Sequence, residues 1–249
     1  MSLTQVSTSD IVKQQYIFKL KAFPDLFNRL FFMLIVGLLF SLGGIGQQGL
    51  RGMITVDIYS ADFIIIFTII WTFIIAIQLT TKLYRNQIVP FVHNQITSFF
   101  SDMLFLLTAS GIGAIFSLLS HFILLAIVRF LMNHKILLGA ATNPSIGEIL
   151  LGFIATIITI FTFSAIGYMF GMLVQRNKVF SFILPAIFIG GFLMLVITGN
   201  EFILNSMHKT FKFYFFETNF FLFALKFLIT AGIFYSFTYL ISRRMEVAR

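Results

Sequence analysis

The sequence predicts an all-α polytopic membrane protein, and three observations carry that prediction. Of 249 residues, 59% are hydrophobic and only 10% charged, against about 25% charged in an ordinary soluble domain. Mean hydropathy is +0.98. The apolar residues also gather into six runs long enough to cross a hydrocarbon core about 30 Å thick, which takes about 20 residues of helix. So few charges cannot cover a water-facing surface, which excludes a free-standing soluble enzyme and an intrinsically disordered chain. The absence of Cys excludes disulfides, thiolate chemistry and Cys-ligated metal.

Residues 1–10, MSLTQVSTSD, are polar, and no small-residue cleavage site closely follows the first apolar run, so no cleavable signal peptide is expected. Residues 10–26 are expected to form an amphipathic interface helix. On a wheel of 100° per residue, Val12, Tyr16, Leu20, Phe23 and Phe27 fall within about 80°, with Gln14, Lys21 and Asp25 opposite. Such a helix lies along a membrane surface, and Pro24 marks the bend into the first span.

The six expected spans are about 27–46, 62–81, 103–132, 148–174, 179–198 and 219–241. The third is long enough to tilt strongly or to break, most easily at Gly111 or Gly113. Gly167-Tyr168-Met169-Phe170-Gly171 is a G-x-x-x-G in the fourth, a pattern that lets two helix backbones approach closely but does not name the partner helix.

Orientation follows from the retention of Lys and Arg in short cytoplasmic loops. With the N terminus inside, the inner side collects Lys13, Lys19, Lys21, Arg29, Lys82, Arg85, Arg176, Lys178, Arg243, Arg244 and Arg249. Only Arg51, Arg129, Lys135, Lys209, Lys212 and Lys226 fall outside. Both termini are therefore expected in the cytoplasm. The net charge of +8 serves topology and contact with anionic lipid; with no polar domain to present a basic face, nucleic-acid binding is not expected.

Between spans two and three lies the longest inner loop, 82–102. Ile88, Val89, Phe91, Val92 and His93 surround Pro90, and an apolar cluster on such a loop suggests a docking surface for another protein. The alternative is that these side chains dip into the headgroups. Residues 199–218, aromatic but interrupted by His208, Lys209 and Lys212, are expected as an outer re-entrant or interfacial segment. The other two outer loops are short and rich in turn residues.

The chain lacks a phosphate-cradling loop, an H-E-x-x-H and a G-x-S-x-G. The four histidines His93, His121, His134 and His208 are scattered, so no metal site is expected. Asp62, Asp102, Glu148 and Glu217 fall at span ends, within reach of water. Polar residues inside spans are the default functional candidates, because a charge at mid-membrane costs about 2.5–3.5 kcal/mol. His121 and Lys226 are therefore candidates for a translocation path, with a hydrogen bond to a neighbouring helix and a snorkelling side chain as the plainer readings. No catalytic residue is expected.

The layout resembles the membrane subunits of ABC transporters of the type-2 exporter class, over essentially the whole chain. Gln87-Ile88-Val89-Pro90-Phe91 is similar to that family's hydrophobic-Pro coupling element. The run GYMFGMLVQRNK, 167–178, with Phe182-Ile183-Leu184-Pro185, looks like its span-four exit and span-five entry. The acidic and Gly residues common before that first Pro are replaced here by Tyr84, Arg85, Asn86 and Gln87. In size and composition the chain is similar to small permeases of Gram-positive bacteria that export phenol-soluble modulins or confer immunity to antimicrobial peptides.

The resemblance implies a single 1–249 permease domain in the cell membrane, paired with a second copy or a homologous permease. It implies ATP and magnesium on a separate cytosolic ATPase docked through the 82–102 loop, and no cofactor in this chain. An amphipathic or hydrophobic peptide is the expected substrate. The alternatives are an integral-membrane enzyme acting on lipid or peptide, which requires a cluster of polar residues at one depth, and a binding-only immunity protein.

Overall fold

The computed structural model describes residues 7–43, 46–50, 54–81, 83–84, 95–131, 136–137, 145–198 and 201–247. The chain opens with α1 (Thr8–Ala22), capped by the Ser7 hydroxyl, which accepts from the Ser9 amide at 3.2 Å. A single residue, Phe23, separates it from α2 (Pro24–Leu42). Pro24 opens α2, where its missing N–H costs nothing, so the bend falls where the sequence places it.

After α2 come β1 (Gly46–Leu50) and β2 (Ile54–Tyr59), which pair antiparallel from Gly46 opposite Ile58 to Leu50 opposite Ile54. Then follow α3 (Asp62–Thr80) and α4 (Gln95–Leu131). The short β3 (Ile136–Leu137) adds to β2 in parallel. The chain ends with α5 (Ile146–Arg176), α6 (Phe180–Thr198), α7 (Glu201–Phe215) and α8 (Phe220–Val247).

The small sheet is a departure from an all-α fold. It forms in connections expected to be plain turns, and ITVDIY carries the two-residue alternation and branched side chains that strands favour. Among the described residues, five helices are long and apolar enough to cross a membrane: Pro24–Leu42, Asp62–Thr80, Ile96–Phe130, Ile146–Arg176 and Phe220–Arg243. The protein is therefore a helical membrane protein. The remaining expected span falls on α6, which carries Pro185 in its interior.

The third span, expected either to tilt strongly or to break, does not break. α4 runs unbroken for 37 residues through Gly111 and Gly113, about 55 Å at 1.5 Å per residue, well beyond the hydrocarbon thickness. Its first two turns, QITSFFSD, absorb the end of the loop expected over 82–102. Within it, Ser110 donates to the Leu106 carbonyl at 2.7 Å, back along its own helix. At the start of α5, Ser145 and Glu148 form a capping box, each side chain bonding the other's backbone amide at 3.2 Å.

The core is organised around α3. Trp71, the only Trp, is 2% exposed and donates its indole N–H to the Leu26 carbonyl of α2 at 2.8 Å. Thr68 meets Ser117 of α4 at 2.8 Å. The G-x-x-x-G of α5 packs on this helix. A β-carbon at Gly167 would stand 2.7 Å from the Phe73 carbonyl, and one at Gly171 would collide with the Thr80 hydroxyl. A β-carbon added at Gly37 of α2 would likewise stand 3.1 Å from the Ile64 α-carbon, and one at Gly113 of α4 would stand 3.0 Å from the Thr68 methyl.

Gly167→Ala should therefore destabilise the protein by about 1–3 kcal/mol, the usual range for overpacking. Gly111→Ala, where the added methyl meets nothing within 4 Å, should leave stability unchanged or raised. Thermal unfolding of the two variants in one detergent checks both.

Candidate functional site: a buried charged junction

α1 docks on the first turns of α4 through a polar strip beside its apolar arc. Gln15 and Lys19, one turn apart, are both fully buried. The Lys19 ammonium has three donors, and three acceptors meet them: Asp102 Oδ1 at 2.7 Å, the Ser98 carbonyl at 3.3 Å, and the Ser101 hydroxyl. Ser101 in turn donates to Gln15 Oε1 at 3.3 Å, and Gln15 Nε2 donates to Thr97 at 3.4 Å. The other oxygen of Asp102 accepts the Tyr168 hydroxyl of α5 at 2.9 Å. One ion pair thus joins α1, α4 and α5.

Aromatic rings pack beside the pair. Phe99 packs against Tyr168, Tyr235 and Tyr239 with ring centroids 5.7–6.2 Å apart. Phe23 lies edge-on to Tyr84 at 4.8 Å and to Phe105 at 6.4 Å. Beside Asp102 is a cavity of about 10 Å³, lined by Leu79, Thr80, Ser98, Tyr168, Met172 and Ser242, with room for about one water. Near the same end of α3, Arg29 of α2 donates to Gln78 at 3.0 Å. Lys19 and Asp102 are engaged with each other, and the cavity beside them has room for about one water, so the arrangement is suited to joining helices rather than to holding a reactant.

The expected interface residues take part in this docking. Phe23 is buried, while Val12, Tyr16 and Leu20 are half-buried; Tyr16 and Leu20 pack against the core. The apolar arc therefore turns to the protein, and Asp10, Lys13, Gln14 and Lys21 face outward. The expected docking residues Ile88, Val89, Pro90, Phe91, Val92 and His93 lie outside the described residues. Both flanks of that segment reach the junction: Tyr84 rests on Phe23, and Thr97 bonds Gln15.

His121 and Lys226 fall on different helices with different neighbours. His121 is half-buried on α4, its ring 5.9 Å from that of Phe122. Lys226, on α8, pairs with Glu217, donates to the Phe213 carbonyl of α7 at 3.0 Å, and lies 4.0 Å over the Phe213 ring. The hydrogen bond from Lys226 holds the Glu217 carboxyl below the usual carboxylate range. Among the described residues no group of three or more His, Asp or Glu gathers as metal ligands would.

Asp102 corrects the expectation that every span-end acid is reached by water, since it is only 3% exposed. Tyr168 and Lys19 were legible only as parts of other patterns, a G-x-x-x-G and a count of basic residues. The missed signal is a matched pair of polar strips: Gln15 and Lys19 four apart on one helix, and Ser98, Ser101 and Asp102 three and four apart on the other.

Breaking a buried pair leaves its survivor charged and unpartnered, which costs about 3–5 kcal/mol, whereas replacing both partners by apolar residues is often neutral. Lys19→Met alone should therefore lower stability by that amount, and Lys19→Met with Asp102→Leu should recover most of it. A double-mutant cycle of unfolding midpoints measures the difference. For Glu217, a depressed acid contributes above its ordinary value of 4.5 and loses the contribution as pH falls through its lower folded value. Hydrogen-exchange protection of 213–217 should hold from neutral pH to about 4.5 and fall only below it, and Glu217→Gln should remove that step.

No protein-family model, curated protein or solved structure matches this chain, so its functional reading rests on these residues and their geometry.

Proposed function

We propose that this chain is the membrane-spanning permease subunit of an ATP-driven ABC exporter of the type-2 class, working with a second copy or a similar permease and with a separate cytosolic ATPase. The observation that carries the reading is the Lys19–Asp102–Tyr168 junction. It ties the helix before the first span to the base of α4, beside the two flanks of the segment that resembles the family's coupling element. Six spans follow if α6 crosses the membrane, with both termini in the cytoplasm of a Gram-positive cell.

In this reading, closure of the ATPase pair displaces residues 82–94. Tyr84 passes the displacement to Phe23, while the helix start at Gln95 passes it to α4. Because Lys19 and Tyr168 both hold Asp102, α1, α4 and α5 move together and do not slip past one another. Chemistry takes place on the ATPase, and this chain converts its closure into a path for an amphipathic or hydrophobic peptide. The apolar character of the spans favours such cargo over a small polar solute, which would need binding charges, whereas Asp102 and Lys226 are already paired within the chain.

An affinity pull-down from native membranes in mild detergent tests the proposal. A near-stoichiometric partner carrying a phosphate-binding loop is expected. Ile88→Asp with Phe91→Asp should reduce its recovery at least tenfold, an order set by burying two charges in an apolar contact at about 1.4 kcal/mol per factor of ten, without changing the unfolding midpoint. A folded chain that reproducibly comes down alone sinks the reading.

A further inference from the structure

Helix α7 (Glu201–Phe215) is barely covered by protein, with every residue from 204 to 213 exposed. Its side chains are nonetheless sorted. Ile203, Leu204, Met207, Phe211, Tyr214 and Phe215 fall within about 120° of the wheel, and Asn205, Lys209 and Lys212 lie on the other side. Phe213, also on that polar side, sits beneath the Lys226 ammonium. Among the described residues, its contacts with α8 gather at its C-terminal end. Tyr214 meets Thr230 at 2.9 Å, Phe215 packs on Phe227 with centroids 5.7 Å apart, and Lys226 takes the Phe213 carbonyl. Back along the helix, Leu204, Met207 and Phe211 are 48%, 56% and 54% exposed.

The charges near this face narrow what covers it. Glu217 is already paired with Lys226, and among the described residues neither Lys209 nor Lys212 has an ion-pair partner. A second copy of the chain is a poor occupant. A two-fold contact through the apolar arc would leave Lys209 and Lys212 on the far side of the helix without counter-charge, in a chain with nine acids and a net charge of +8. A surface that is apolar at one depth and anionic just above it matches both halves of the helix.

We infer that α7 is an interfacial helix that docks on an anionic phospholipid leaflet, its apolar arc in the acyl boundary and Lys209 and Lys212 against the headgroups. Docking supplies the contacts that the protein withholds from Leu204, Met207 and Phe211, and the α8 contacts set where along the bundle the leaflet surface lies. The inference needs a membrane but not an ATPase, so it stands or falls separately from the permease reading.

The native chain has no Cys, so a single nitroxide can be placed at Ser206→Cys, Met207→Cys or Phe211→Cys. The full chain is then reconstituted in nanodiscs of phosphatidylcholine alone or mixed equally with phosphatidylglycerol, and label depth is read from relaxation by oxygen and by a water-soluble nickel chelate. In the anionic discs, labels at 207 and 211 should be shielded from nickel and a label at 206 exposed. Lys209→Gln with Lys212→Gln should reduce the docked population about fivefold per lysine and erase the difference between the two lipids. High salt should act in the same direction, since the screening length falls to about 3 Å at 1 M. Equal depth in both lipids with no effect of the lysine changes would overturn the inference. So would nickel access to 207 and 211 in the anionic discs, or spin–spin broadening at 211 showing that a second copy covers the face.

Discussion

How closely α5 approaches α3 governs much of what the rest of the molecule can do. With hydrogen in place of a side chain at Gly167 and Gly171, the α5 backbone lies against Phe73, Ile77 and Thr80. That contact also sets the rotation of α5 about its axis. Tyr168 follows Gly167 directly, so turning the glycines toward α3 directs the neighbouring phenol to α4, where it reaches Asp102. A wider spacing would withdraw that donor and leave one carboxylate oxygen buried without its partner, at a cost of about 1–3 kcal/mol or more for a charged group. Backbone contact in the core and the ion pair at its end are thus one construction.

A buried Lys–Asp pair in so apolar a chain is better understood as a fixing device than as a source of stability. Desolvating two charges consumes most of what their attraction returns. A mispaired arrangement is far worse, because any sliding of α1 along α4 separates the charges without water to receive them. The pair therefore fixes one register of α1, and Gln15 repeats the constraint a turn away. Lys226 shows the contrasting case. It is 20% exposed beside an acid that is 22% exposed, where solvent screens the pair, and its carbonyl and ring contacts serve to tether α7.

The outward face of the bundle follows a different rule from its interior. Phe130, Phe182 and Phe221 are 81%, 79% and 72% exposed, which in water would drive aggregation and in lipid is ordinary solvation. Because hydrocarbon outside is as apolar as the core, burial cannot hold the helices together; close contacts and short hydrogen bonds must. Ser164 with Tyr235 at 3.2 Å, and Thr162 with the Phe227 carbonyl at 3.2 Å, fasten α8 to α5 in this way.

Apolar run lengths by themselves determined that this is a helical membrane protein, because crossing lipid demands a long apolar segment whatever it packs against. Pro24 likewise marks a helix start, since proline's missing N–H acts within a few residues. The strands at 46–50, 54–59 and 136–137 were not legible in the same way, because a short strand depends on a neighbour supplied from elsewhere in the chain. Nor could periodicity choose the side of α1 that docks: Gln15 and Lys19 look solvent-facing until α4 presents Thr97, Ser98, Ser101 and Asp102 to them. Only the tertiary structure decided that these residues, more than seventy positions apart, satisfy one another's charge and hydrogen bonds. It also decided that α3 is the partner of the α5 glycines, because a small residue permits close approach to any helix and only packing selects which one.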